Sequence, residues 1–122
     1  MLTFYFVRTC MKYFHPIEVG NRVVHFNPKT FRHDSDNLQK IAQGKSPVGI
    51  DGKNVTLHHI GRRHNSNLAT LTDTFHRQHS DKIHNIAPRV GEEVNRKKFD
   101  KEKKDIWKAI SNYLLQDFKK ND

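Results

Sequence analysis

Cysteine is almost missing from this 122-residue chain, and the single Cys10 excludes both an intramolecular disulfide and a zinc site built from several thiolates. Any metal must be held by histidine, carboxylate or amide groups. Long hydrophobic runs are missing too. Leu2 to Val7 is mostly apolar, but Thr3 interrupts it and Arg8 ends it, which is too short for a membrane span or the apolar region of a classical signal peptide. There is no internal repeat and no low-complexity tract. Acidic residues are scarce: 13 Asp and Glu stand against 22 Lys and Arg, for a formal charge of +9. That balance makes a polyanion the natural partner, nucleic acid before an anionic membrane surface. Hydrophobic residues make up 34% and charged residues 29%. The aromatic content argues against disorder, so the expectation is one domain with a modest core.

The pattern along the chain is mixed. Arg22-Val23-Val24-His25-Phe26 has the β-branched and aromatic content of a strand, and Asn27-Pro28 ends it. Between Pro28 and Gly52 the sequence reads as loops around one short helix, Ser35 to Gln43, with Leu38, Ile41 and Ala42 at helical spacing and Gly44 as a stop. Asp51-Gly52 is a turn signal. Val55, Leu57 and His59 then alternate with Thr56, His58 and Ile60, as a strand does, and Gly61 ends the run. Gly61 to Ser66 is a polar loop, and Asn67 to Leu71 returns as a second strand. Thr72, Asp73 and Thr74 are N-cap candidates for a helix through Phe75, Gln78 and Ile83 that closes before Pro88. From Asp100, the residues Ile106, Trp107, Ile110, Leu114, Leu115 and Phe118 predict one apolar face of a long amphipathic helix.

Six of the nine histidines fall within the predicted strand-turn-strand-helix unit: His58, His59, His64, His76, His79 and His84. Imidazole is the commonest zinc ligand and also suits nickel, copper and iron, so this clustering points to a metal site. Any one of these residues taken alone is more simply a surface or core histidine; the set is not. Adjacent strand residues point to opposite faces, which gives His58 and His59 different environments: one can bind metal while the other meets water and substrate. His76 and His79 share a helical face. A straight helix cannot bring His84 to the same ion as His76, so both can be ligands only if the helix ends near Lys82. His64 reads as a loop residue. Arg62 and Arg63 can meet the scissile or a neighbouring phosphate with the forked geometry of guanidinium, and solvated loop charge explains them nearly as well.

The ordered string Thr56-Leu57-His58-His59, Leu71-Thr72-Asp73-Thr74-Phe75-His76 and Ile83-His84-Asn85 resembles the LHH branch of the HNH nucleases. The likeness continues through Asn95-Arg96, Phe99 and Trp107 and covers about residues 47 to 110. It implies a ββα-metal fold like that of colicin-type DNases, with His58 and His76 as metal ligands, His59 as general base, and Asn67 bracing the loop between the strands. The third ligand stays open. Colicin-type nucleases have a histidine where this chain has Ser80; the family string favours His84 and helical geometry favours His79. Such domains occur in bacterial polymorphic toxins, each with a cognate immunity protein.

The expected architecture is thus α+β, a ββα-metal (HNH, His-Me finger) core with additional helices that include the long C-terminal one. Residues 1–46 are expected as an N-terminal extension with a short strand and helix packing on the core, and 47–122 as the nuclease core with its C-terminal helix. The expected function is metal-dependent hydrolysis of DNA phosphodiesters with low sequence specificity, RNA being a second possible substrate, by a toxin or effector nuclease. One divalent ion is implied, zinc by ligand type, with magnesium, manganese or nickel as other candidates. Arg96, Lys97, Lys98, Lys101 and Lys104, with Arg63, are candidates for non-specific phosphate contacts. A small acidic immunity protein is the expected protein partner. Membrane insertion is not expected, and the place of action is the producing cytoplasm or a target cell reached by a specialised secretion route. The rival reading is a non-catalytic zinc module that only binds nucleic acid.

Overall fold

The β-branched run at Val23 and Val24 does form a strand, paired with a neighbour that the sequence pattern does not announce. The computed structural model describes residues 14–60, 67–79 and 96–120. Strand β1 (His15–Val19) turns through Gly20 and Asn21 into the antiparallel strand β2 (Arg22–Phe26). A 3-10 turn at Pro28–Thr30 follows, then helix α1 (Ser35–Ala42), strands β3 (Thr56–His59) and β4 (Leu68–Leu71), helix α2 (Asp73–Gln78) and the long helix α3 (Arg96–Lys120). The architecture is α+β, with strand, strand and helix in the order β3, β4, α2.

The strands form one sheet in the order β1-β2-β4-β3. β3 and β4 are an antiparallel hairpin, and β2 joins β4 in parallel, with Val24 beside Leu68 and His25 beside Ala69. The stretch expected as an extension packed on a nuclease core therefore supplies two strands of the same sheet. Because side chains alternate along each strand and paired residues share a face, Ile17, Val24, Phe26, Leu57, His59, Leu68 and Thr70 line one face. Phe99, Ile106, Trp107 and Ile110 of α3 are 0–1% exposed and belong to the same core as this face. The opposite face carries Val23, His25, Thr56, His58, Ala69 and Leu71, and α2 packs against β3.

α3 begins at Arg96, four residues before the expected Asp100. Its predicted apolar stripe is incomplete, for Leu115 is 59% exposed and Leu114 only partly buried. Among the stripe residues of α1 only Ile41 is buried; Leu38 is 37% exposed. The other inward position of α1 is Asn37, 5% exposed. Its amide donates to the Arg32 and Val48 carbonyls at 2.8 and 3.0 Å and accepts from the Val48 N–H at 2.9 Å. Three partners offset the cost of burying that amide. Gly44 ends α1 at φ 79, and a Cβ there would lie 3.0 Å from Lys104 Cα, so the chain passes α3 where only glycine fits.

Candidate active site

His58 and His59 occupy the last two positions of β3, an edge strand, and the alternation sends them apart as expected. His58 points to the α2 side. Its ring lies 5.1 Å from the ring of His76, centroid to centroid, at 56°. His59 points to the core side, where its ring meets Phe99 of α3 edge-on at 4.2 Å. Both are buried, 8% and 6% exposed. His59 is enclosed because the face it shares with Leu57 is the one that α3 covers.

α2 is much shorter than expected: it stops at Gln78, not near Ile83. None of its residues is buried, so no apolar stripe supports further turns. It is held at its N-terminus. The Thr72 side chain accepts from the Phe75 N–H at 3.1 Å, and Asp51 Oδ2 accepts from both the N–H and the hydroxyl of Thr74, at 2.9 and 2.8 Å. The other oxygen of Asp51 accepts from the Lys53 N–H at 3.1 Å. Lys53 and Arg77 both reach Asp73, at 3.9 and 2.7 Å. Donation from the Thr74 backbone, above all, holds the Asp51 carboxyl below the ordinary carboxylate range. Asp51 thus fastens the helix that carries His76. Sequence reasoning saw only a turn at this residue; the missed signal was an acidic side chain free to cap a helix beginning more than twenty residues later.

His79 is the residue just past α2. Its ring stacks on Phe75 at 4.3 Å and 27°, and its Nδ1 lies 3.1 Å from the Phe75 carbonyl oxygen, which turns the ring along its own helix. Asn67 lies at the loop end of the β3–β4 hairpin, the end that carries His58 and His59. Its carbonyl accepts from the Ile60 N–H at 2.8 Å and its side-chain oxygen accepts from the Val23 N–H at 2.9 Å. It braces the hairpin and ties it to β2, through backbone groups on both sides.

Arg62, Arg63, His64 and His84 lie outside the described residues, as does the side chain of Arg96. Lys97, Lys98, Lys101 and Lys104 are exposed on α3, on the opposite side of the sheet from His58 and His76. Lys98 lines a cavity of about 660 Å³ between α3 and the β1–β2 turn, beside Glu102, whose carboxylate binds Arg22 at 2.7 Å. The structure therefore brings His58 and His76 together, keeps His59 next to them in the chain but on the other face, and sets these four lysines apart.

The donor set suits a divalent ion. Two imidazoles on one tetrahedral ion, each about 2.0–2.1 Å from it, have centroids roughly 5 Å apart, and the facing strand and helix impose 5.1 Å here. Among the described residues no third His, Cys, Asp or Glu joins this pair.

The family LHH, a nuclease of the HNH/ENDO VII superfamily with conserved LHH, matches residues 36–112. Leu57-His58-His59 falls within that span. No curated protein and no solved structure matches the chain.

Proposed function

The chain belongs to the LHH family of the HNH/ENDO VII nuclease superfamily, and from that premise we propose that it is a metal-dependent endonuclease that hydrolyses DNA with low sequence specificity. The observation that carries the metal site is the facing of the His58 and His76 rings across β3 and α2. These two imidazoles would hold the divalent ion, which, when bound, stabilises negative charge on the phosphate and the leaving oxygen.

His59 is the general base of this reading. The role rests on the family resemblance: its ring lies on the face opposite His58 and His76, against Phe99, so it would take a proton from a water at the ion only around the end of the edge strand, where β3 stops at His59. Phe99, edge-on to the ring at 4.2 Å, fixes its orientation. Asn67 keeps β3 and β4 in register at that end through the Ile60 and Val23 amides. Arg62 and Arg63 follow the histidine pair in sequence and supply phosphate contacts, His84 supplies the third ligand, and the α3 lysines hold nucleic acid away from the cleaved bond. With a formal charge of +9, the protein would serve as a toxin or effector nuclease, restrained in its producer by a small acidic partner.

Cleavage of supercoiled plasmid and of single-stranded RNA by the purified protein, with and without divalent ions, tests this reading. Cleavage of DNA should need the ion. His58→Ala and His76→Ala should each weaken metal binding, whereas His59→Ala should keep the ion and lose about 10²–10⁴ in rate. Tight metal binding without any cleavage would leave the chain a zinc-stapled nucleic-acid-binding module. Full activity in the presence of chelator would remove the metal from the mechanism.

A further inference from the structure

The β1–β2 hairpin brings a histidine to the metal-side face that the proposed site does not use. His25 pairs with Ala69 of β4, and Ala69 pairs with His58 of β3, so the three side chains form one row across the sheet on the face where α2 packs. Adjacent strands lie about 4.8 Å apart, which sets His25 and His58 roughly 10 Å from one another. The residue between them is Ala69, only 5% exposed, so a ligand that reaches both imidazoles passes over its methyl group without touching it. α2 packs against β3, at the His58 end of the row, and His25 remains partly exposed. Partial burial holds the ring below its ordinary pKa, so at neutral pH it carries one hydrogen-bond donor and one acceptor. No hydrogen bond or ion pair among the described residues occupies it.

Consecutive phosphates of one strand lie farther apart than the axial rise of about 3.4 Å, because the backbone winds around the axis, so a span of about 10 Å covers one to two nucleotides of backbone. We propose that His25 is a substrate-binding residue whose imidazole contacts the sugar-phosphate backbone one to two nucleotides from the bond cleaved at His58 and His76. The nature of the ligand rests on the nuclease reading. Along β1, Pro16 is the next residue in the row, and Glu18 and Val23 form the row beside it. Glu18 is exposed there, and its carboxylate repels a further phosphate, so the track ends at His25.

Binding of a short fluorescein-labelled DNA, read by anisotropy in the His59→Ala background to prevent its consumption, tests the assignment. His25→Ala should raise Kd about fivefold, the scale of one hydrogen bond. His25→Phe, which keeps a ring and removes the polar atoms, should do the same, and His25→Gln should recover part of the loss. Metal affinity by chelator competition should stay within about twofold, since the residue is not a ligand. In the active protein KM should rise while kcat holds. An unchanged Kd in His25→Ala and His25→Phe overturns the assignment, as does a fall in kcat at constant KM or a loss of metal affinity like that of His58→Ala. If the wild type binds DNA without cleaving it, the nuclease reading fails while Kd still judges His25; if it does not bind DNA, both fail.

Discussion

Replacing Asp51 by alanine should loosen the helix that carries His76, although Asp51 is not expected to touch metal or substrate. The carboxylate accepts from the Thr74 N–H at 2.9 Å and from the Thr74 hydroxyl at 2.8 Å. That amide belongs to the first turn of α2, where the helix has no acceptor of its own, so its loss has the scale of a missing N-cap, about 1 kcal/mol. The Thr74 hydroxyl can turn to water, and the Lys53 N–H lies in an exposed setting and rehydrates. Together they bring the cost to about 1–2 kcal/mol. Urea unfolding of the metal-free protein should report it. If α2 must be docked for His76 to face His58, metal affinity by chelator competition should fall by up to about tenfold, since 1.4 kcal/mol is one decade. Asp51→Asn keeps one acceptor oxygen and should lie between the two proteins. Because the folded-state carboxyl titrates below its ordinary value, its stabilisation is complete above the unfolded value near about 3.9 and disappears as pH falls through the lower folded value. The gap in stability between wild type and Asp51→Ala should therefore narrow in strong acid. Equal urea midpoints and equal metal affinity at neutral pH would show that Arg77, Lys53 and Thr72 hold α2 by themselves and that Asp51 does not fasten it.

Asn37→Ala should cost about 2–3 kcal/mol in urea unfolding, because it leaves the half-buried Val48 N–H and two carbonyls without the amide; a loss below about 0.5 kcal/mol would mean that water replaces it freely. Gly44→Ala should destabilise by at least about 1–2 kcal/mol, from the left-handed backbone and the contact with the Lys104 main chain. A neutral effect on thermal melting would show that α1 can shift away from α3. His79→Ala should change metal affinity less than His84→Ala, since Phe75 holds the His79 ring along its own helix; the reverse ranking by chelator titration would make His79 the third ligand.

Local chemistry made part of this protein legible without coordinates. The strand at Arg22–Phe26, the α1 boundaries, the order β3, β4, α2 and the long C-terminal helix all follow from short-range signals: β-branched runs, cap residues and apolar periodicity. So did the separation of His58 from His59, because a strand has a period of two. What escaped was non-local. β1 reads His-Pro-Ile-Glu-Val, and a proline is tolerated there only because β1 is a sheet edge, a status no local pattern carries. The end of α2 at Gln78 reflects a helix with nothing buried, whereas its spacing alone allowed another turn. Which face of β3 would be covered, and hence that His59 is 6% exposed against Phe99, depended on where α3 packs. Asp51 meets Thr74, Asn37 meets Val48 and His25 enters the row of His58 across 23, 11 and 33 positions of sequence. Residue type and spacing specified the ligands available; only the closure of β2 onto β4 and the docking of α2 on β3 decided which of them share a site, because those contacts join segments whose local propensities are independent of one another.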